Sequence, residues 1–212
     1  MATTTYREFE WSGPGAGNGE SGVQLTNLFL DLVNGLDTVK SICDLGCGNG
    51  YMSRRLADLG YDVVGVDASE SGVGIARRAC PNATFIHSSI DSTLRQRMTF
   101  SDFDLVVSSD VIEHLYRPSD LLEAATSLLK TNGHLIIGAP YHGYLKNLLL
   151  SLTGKMDSHF SALHDGGHIK FFSEKTLSEL LKKHGFLSQR FTFYGRAPWL
   201  WKNMICHARK RD

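Results

Sequence analysis

Between Val39 and Gly138 the chain repeats one unit: a short β-branched run, then a segment whose apolar residues recur three and four apart. The strand-like runs are Val39–Leu45, Val63–Val66, Thr84–His87, Phe103–Ser108 and His134–Gly138. The helical segments between them are Tyr51–Leu59, Gly72–Cys80, Ser92–Met98 and Ser119–Lys130. Near-continuous apolar strands separated by helices specify a parallel sheet covered on both faces, and right-handed crossovers make it doubly wound. A helical stripe over Gln24–Leu36 precedes the repeat. After Pro140 the rhythm changes. Tyr144–Leu152 reads as a short helix, followed by a Gly- and His-rich loop to Gly167. Ser173 caps a helix that Gly185 ends. Two last runs, Leu187–Tyr194 and Lys202–Ala208, lie close enough in sequence to form an antiparallel hairpin. The expected fold class is α/β: five parallel strands and a terminal hairpin.

Composition narrows the function classes. A length of 212 residues suits one large domain, and 42% hydrophobic content excludes a disordered chain. The 22 basic and 22 acidic residues cancel, which argues against general nucleic-acid binding. The balance is uneven, however: residues 1–169 hold 12 basic and 19 acidic residues, and residues 170–212 hold 10 and 3. No apolar run is long enough to span a membrane, and MATTTYREFEW lacks a signal pattern. Cys43, Cys47, Cys80 and Cys206 form no CxxC pair and read as reduced thiols, so a cytoplasmic location is expected. Residues 1–22, glycine-rich and carrying Tyr6 and Trp11, read as a flexible arm able to close as a lid. Residues 23–212 then form one domain with an insert at about 141–170.

The segment Asp44-Leu45-Gly46-Cys47-Gly48-Asn49-Gly50 leaves the first strand and opens a helix. Glycines there allow a sharp turn and let a ligand touch the main chain. The dinucleotide fingerprint is GxGxxG over a pyrophosphate. This loop reads GxGxG, with Tyr51 in the last glycine's place, and Asp44 precedes it. A carboxylate there repels pyrophosphate and welcomes an ammonium group. Asp67 ends the second strand, 21 residues after Gly46, where an acceptor can bind ribose hydroxyls; the plainer alternative is a strand-end turn residue. One acid for an amino-acid end and one for a ribose suit S-adenosylmethionine (SAM), which carries no phosphate.

These residues carry a family resemblance. Asp-Leu-Gly-Cys-Gly-Asn-Gly, Val-Gly-Val-Asp-Ala-Ser and Phe-Asp-Leu-Val-Val-Ser-Ser-Asp-Val-Ile-Glu-His-Leu resemble motifs of class I SAM-dependent methyltransferases. The Asp-Val-Ile-Glu-His-Leu stretch is most like the ubiquinone-biosynthesis O-methyltransferases, with Asp110 where those usually have Glu. The resemblance covers roughly residues 39–210. It implies a Rossmann-like seven-stranded sheet, mostly parallel, with an antiparallel C-terminal strand. It further implies SAM as cofactor and S-adenosylhomocysteine (SAH) as product. Asp44, Gly46, Cys47, Gly48, Asn49 and Gly50 would surround the methionine part. Asp67 would take the ribose, Ala68 would pack on the adenine, and Ser69 would also bind the cofactor. Ser89, Ile90 and Asp91 would contact the adenine, and Ser109 and Asp110 the methionine and sulfonium side.

The insert that follows strand five should stand beside the transferring methyl, because loops at the carboxyl ends of strands line the crevice. Six of nine histidines fall between His114 and His168. His168, His164 and His114 are the candidate bases for an acceptor hydroxyl. The favoured reading needs no metal. A rival places a divalent ion among Glu113, His114, His164 and His168, though without regular ligand spacing; a third reading has these histidines only orient the loop. Tyr141, Tyr144, Leu145, Leu148, Leu149, Phe160, Trp199 and Trp201 could line an apolar acceptor pocket or touch a membrane peripherally. The plainer expectation is that Leu148–Leu152 buries itself as a core helix. The sequence thus points to a methyltransferase acting on a hydroxyl of a small or amphipathic acceptor. The alternatives are an NAD-dependent oxidoreductase, which Asp44 and the missing glycine oppose, and a non-catalytic SAM-binding module.

Overall fold

The computed structural model describes residues 9–17, 19–100, 102–160, 162–163 and 166–211. Strands β1 (Ser41–Leu45), β2 (Asp62–Asp67), β3 (Thr84–His87), β4 (Phe103–Ser109) and β5 (Leu129–Pro140) pair in parallel. Strand β7 (Asn203–Lys210) runs antiparallel to β5 and to β6 (Phe186–Tyr194), giving the order β3-β2-β1-β4-β5-β7-β6. The expected seven-stranded sheet with its terminal hairpin is therefore present. Strand order reverses between β1 and β4, so the loops after both strands open into one crevice at their carboxyl ends.

Period-two alternation divides the core. Ile42, Leu105, Val107, Ile136 and Ile205 pack with Phe29 and Val33 of α1 (Gly19–Asn34) and Leu56 of α2 (Tyr51–Asp58). Cys43, Leu45, Val106, Leu135, Ile137 and Cys206 pack on the opposite face. There they meet Leu121 and Leu122 of α5 (Pro118–Leu128) and Leu177 and Leu181 of α8 (Glu174–Lys183). Each such fully buried aliphatic side chain contributes ~1.5–3 kcal/mol. Val73 and Ala76 of α3 (Glu70–Ala79) form a third cluster with Cys47 and Phe85 beneath the glycine loop. Ser173 and Thr176 close a capping box on α8, and Gly185 follows it at φ 80°.

Several boundaries move. Helix α1 starts at Gly19, five residues before the expected Gln24, so its first turn lies in the stretch expected to be loose. Helix α5 stops at Leu128 and β5 starts at Leu129; an irregularity then separates the Phe103–Leu129 and Leu105–His134 pairings, with Asn132 at φ 60°. Helix α4 contracts to Leu94–Arg97. The expected loop after α6 (Tyr144–Leu152) contains a short helix α7 (Met156–Phe160). The expectation of a buried Leu148–Leu152 fails: Leu150 is buried, but Leu148, Leu149 and Leu152 are exposed. No helix among the described residues is long and apolar enough to cross a membrane.

His134 and His207 meet across β5 and β7 with Nδ1 and Nε2 2.9 Å apart. One ring must donate and the other accept, so the pair cannot hold two protons at this contact. Burial lowers both histidines, and His134, Arg190 and Arg209 help hold His207 down to about 4. A folded-state pKa below the usual 6.5 contributes stability above about pH 6.5 that is lost as pH falls through about 4. The urea midpoint should therefore drop between pH 7 and pH 4, and His207→Gln should make that drop shallower. An identical pH profile for both proteins would count against the pair as the source.

Candidate functional site

Three glycines shape the loop between β1 and α2, with φ of 85° at Gly46, 53° at Gly48 and 77° at Gly50. The Gly46 and Cys47 amides donate to the Val66 carbonyl at 2.8 and 3.1 Å, tying the loop to the end of β2. A Cβ at Gly46 would lie 2.2 Å from the Val111 side chain, and one at Gly50 2.6 Å from Ala76. Asp44, 1% exposed, lies at the base of this loop. Its Oδ2 accepts from Ser53 Oγ at 2.6 Å, while Oδ1 is buried without a hydrogen-bond partner. Burial pushes its carboxyl up to about 7, against the lowering effect of Ser53. A cationic donor arriving at Oδ1 would complete the carboxylate and return its pKa toward the ordinary range.

Asp67 sits at the end of β2, where its Oδ2 accepts from the Gly48 amide at 2.7 Å and Oδ1 from Ser69 N–H at 2.8 Å. Ser69 caps α3, accepting from the Gly72 amide at 3.1 Å, and donates to the Phe9 carbonyl at 2.8 Å. Ala68 is exposed, and its carbonyl lies 2.9 Å from His87 Nε2. The segment 9–17 is fastened onto this same loop. Asn49 Nδ2 donates to the carbonyls of Gly13 and Gly15 at 2.6 and 2.7 Å, and Trp11 N–H donates to Ser71 Oγ at 3.2 Å. The Trp11 ring lies against Gly48 and Gly72, 2.3 and 2.9 Å from where a Cβ would stand. Tyr6, the arm's other aromatic of interest, lies outside the described residues.

After β3, Asp91 is committed to its own turn. It accepts from Ser89 Oγ and from Thr93, and pairs with Arg97 at 3.0 Å; the Arg97 hydrogen bonds hold it well below the carboxylate range. Ile90 packs on the core. Ser109 ends β4, and Asp110 follows at φ 53°, its Oδ1 accepting from Asn203 Nδ2 at 3.1 Å. Burial raises Asp110 to about 6. Asn203 escaped the sequence reading: only the β5–β7 register, which sets it opposite Pro140, carries it to the crevice.

Glu113, in the 3-10 turn Ile112–His114, is 1% exposed, and both its oxygens are buried without a hydrogen-bond partner. Burial, then the nearby Asp110, push its carboxyl well up. His168 Nε2 and His114 Nε2 lie 3.9 and 4.0 Å from Glu113 Oε1, and the two rings meet edge to face at 4.9 Å. His114 Nδ1 is 2.9 Å from the Gly166 carbonyl, and the Glu113 carbonyl accepts from the amides of Ile169 and Lys170 at 3.0 Å each. Thus two of the three candidate bases converge on one buried acid; His164 lies outside the described residues. One ligand atom each from Glu113, His114 and His168 lies within 4.8 Å of the others. Ligands about 2.1 Å from a shared ion stand roughly 3–4 Å apart, so the trio fits a divalent cation with modest contraction.

The family described as "Methyltransferase domain" matches residues 23–187. The ubiquinone biosynthesis O-methyltransferase of Schizosaccharomyces pombe mitochondria is 28% identical over 159 residues, 70% of this chain and 55% of that protein. The Roseobacter denitrificans enzyme of the same name is 28% identical over 169 residues, 76% of this chain and 66% of that protein. The chain therefore matches under two thirds of the length of these relatives. Magnesium protoporphyrin IX methyltransferase from Synechocystis, solved with bound SAH, superposes with a TM-score of 0.64 at 23% identity. It covers 88% of this chain and 82% of its own.

Gly46→Ala combines a left-handed φ with a 2.2 Å approach to Val111. It is expected to cost about 2–4 kcal/mol, the sum of backbone strain and overpacking. Thermal unfolding checks this; a melting temperature within 1 °C or so of the parent would mean that the loop can re-form around a side chain.

Proposed function

This chain belongs to the methyltransferase domain family, and from that premise we propose that it binds SAM and methylates an oxygen of a small or amphipathic acceptor. The observation that carries the reading is Asp44: a buried carboxylate with an unpartnered oxygen, at the base of a glycine loop turned back onto the end of the neighbouring strand. That arrangement suits the ammonium of an amino-acid end and opposes a pyrophosphate. When bound, SAM supplies an electrophilic methyl on a sulfonium. Asp67, at the neighbouring strand end, accepts from the ribose hydroxyls. Gly46, Cys47, Gly48, Asn49 and Gly50 wall the methionine part, and Ser109 and Asp110 close the sulfonium side. Ala68, Ile90 and the Ser89–Asp91 turn border the adenine. Residues 9–17, held by Asn49, Ser69 and Ser71, act as a lid that excludes water from this cleft.

On the acceptor side, His168 takes the acceptor's hydroxyl proton while Glu113 keeps its ring oriented; His114, tied to Gly166, buttresses the pair. A second reading has its own support. Glu113, with both oxygens buried and unpartnered, would with His114 and His168 hold a divalent cation. Such a cation would polarise the acceptor oxygen as a Lewis acid. The small-molecule acceptor fits relatives named for O-methylation.

Asp67→Ala should weaken SAM affinity about 100-fold, roughly two charge-assisted hydrogen bonds, and leave the fold intact. Calorimetry with SAM measures it; unchanged affinity would remove Asp67 from the ribose. His168→Ala should lower kcat by about 10²–10⁴-fold with SAM affinity preserved. Equal loss of both would make it a structural histidine. Cobalt titration of metal-stripped protein separates base from metal: a visible absorption band lost in Glu113→Gln supports the cation, and no band supports the base.

A further inference from the structure

Helix α6 turns the wrong residues inward. Tyr144, Leu145, Leu148, Leu149 and Leu152 are exposed, whereas Lys146 is only 3% exposed. Its Nζ donates to the Tyr141 carbonyl at 2.6 Å, one bond for a group with three donors. Among the described residues, no carboxylate acts on this ammonium; the charge it feels is that of Arg196, in the β6–β7 connection at φ 62°. Burial, with that neighbour, lowers Lys146 to about 8, which leaves it mostly cationic at pH 7.

The same positive charge reaches two histidines. His142, 7% exposed, is held down to about 4 by burial, then by Lys146 and His159, and to a lesser degree by His168. His159 is lowered by burial, Lys146 and Arg196. A buried cation among further bases is expensive unless an anion joins it. Flat rings border the place: His142 stacks on Phe160 at 5.7 Å, and Phe171 meets both edge-on at 5.0 and 4.9 Å. The cluster also adjoins the acceptor side of the crevice. Tyr141 N–H donates to Lys202 O, next to the Asn203 that holds Asp110, and His142 N–H donates to Phe172 O, in the segment that crosses Glu113.

We propose that Lys146 and Arg196, with His142 and His159, form an oxyanion site that holds a carboxylate or phosphate of an aromatic acceptor. In this role Lys146 determines which acceptors are taken and does no chemistry on the methyl. The proposal rests on the methyltransferase reading for the word acceptor, but the site can be tested without turnover.

Calorimetry of benzoate and of inorganic phosphate with SAH-loaded protein tests it directly. At least one should bind saturably, and the tighter of the two identifies the anionic group. Lys146→Gln should weaken it roughly thirtyfold, as for loss of one partner of a buried charge pair. Arg196→Gln, at an exposed position that does not endanger folding, should weaken it severalfold. Failure of both anions to bind the parent protein, or unchanged binding in both variants, overturns the site. With 3,4-dihydroxycinnamate and its methyl ester as acceptors, the acid-to-ester ratio of kcat/KM should fall at least tenfold in Lys146→Gln, mainly through KM. A constant ratio also overturns it. Turnover of neither catechol would count against the O-methylation reading instead, and the calorimetry then decides the oxyanion site alone.

Discussion

Two amide hydrogen bonds, from Gly46 and Cys47 to the carbonyl of Val66, join the loop after β1 to the end of β2. They oblige the backbone to fold back at once, which is why three residues in seven positions take left-handed φ and are glycine. The turn seals Asp44 beneath the loop and brings the Gly48 amide onto Asp67. Two carboxylates from neighbouring strands thereby flank the glycine loop, Asp44 with one oxygen unpartnered and Asp67 holding two amides. The parallel sheet makes this placement possible, since every helix crossover returns the chain to the same edge.

The second half of the crevice is governed by desolvation. Asp110 and Glu113 lie close enough for like charge to raise Glu113 further after burial has raised it. Asn203 from β7 holds the Asp110 carboxylate, and the crossing segment at Ile169 and Lys170 holds the main chain of Glu113. Two histidine rings then close over Glu113. A pocket of acids that resist ionising is receptive to positive charge, whether on sulfur, on a metal or on a protonated imidazole.

The strands were legible because β-branched residues at period two leave little choice in a sheet buried on both faces. The glycine loop was legible because its residue types answer to backbone geometry within a few positions. What stayed hidden depends on long-range register. Asn203 reaches Asp110 across 93 positions, and nothing local distinguishes it from any polar residue at a strand start. Trp11 could be suspected as a lid, but the acceptors of Asn49 are the carbonyls of Gly13 and Gly15, which have no side-chain signature. Helix α6 defeated the pattern outright. A leucine-rich stripe ordinarily marks the buried face, and here Lys146 is buried while Leu148, Leu149 and Leu152 face outward.

The fastening of residues 9–17 to Asn49, Ser69 and Ser71 makes the arm and the glycine loop a thermodynamically linked pair. By reciprocity, any ligand that tightens when the arm is seated must hold the arm in place by the same factor. Ordering those nine residues carries an entropic cost of about 1–2 kcal/mol each, offset by their contacts with the loop. A small loss of those contacts is therefore enough to shift the arm's balance. A ligand coupled to the arm in this way would owe its affinity to a segment well upstream of the first strand as well as to the residues that touch it.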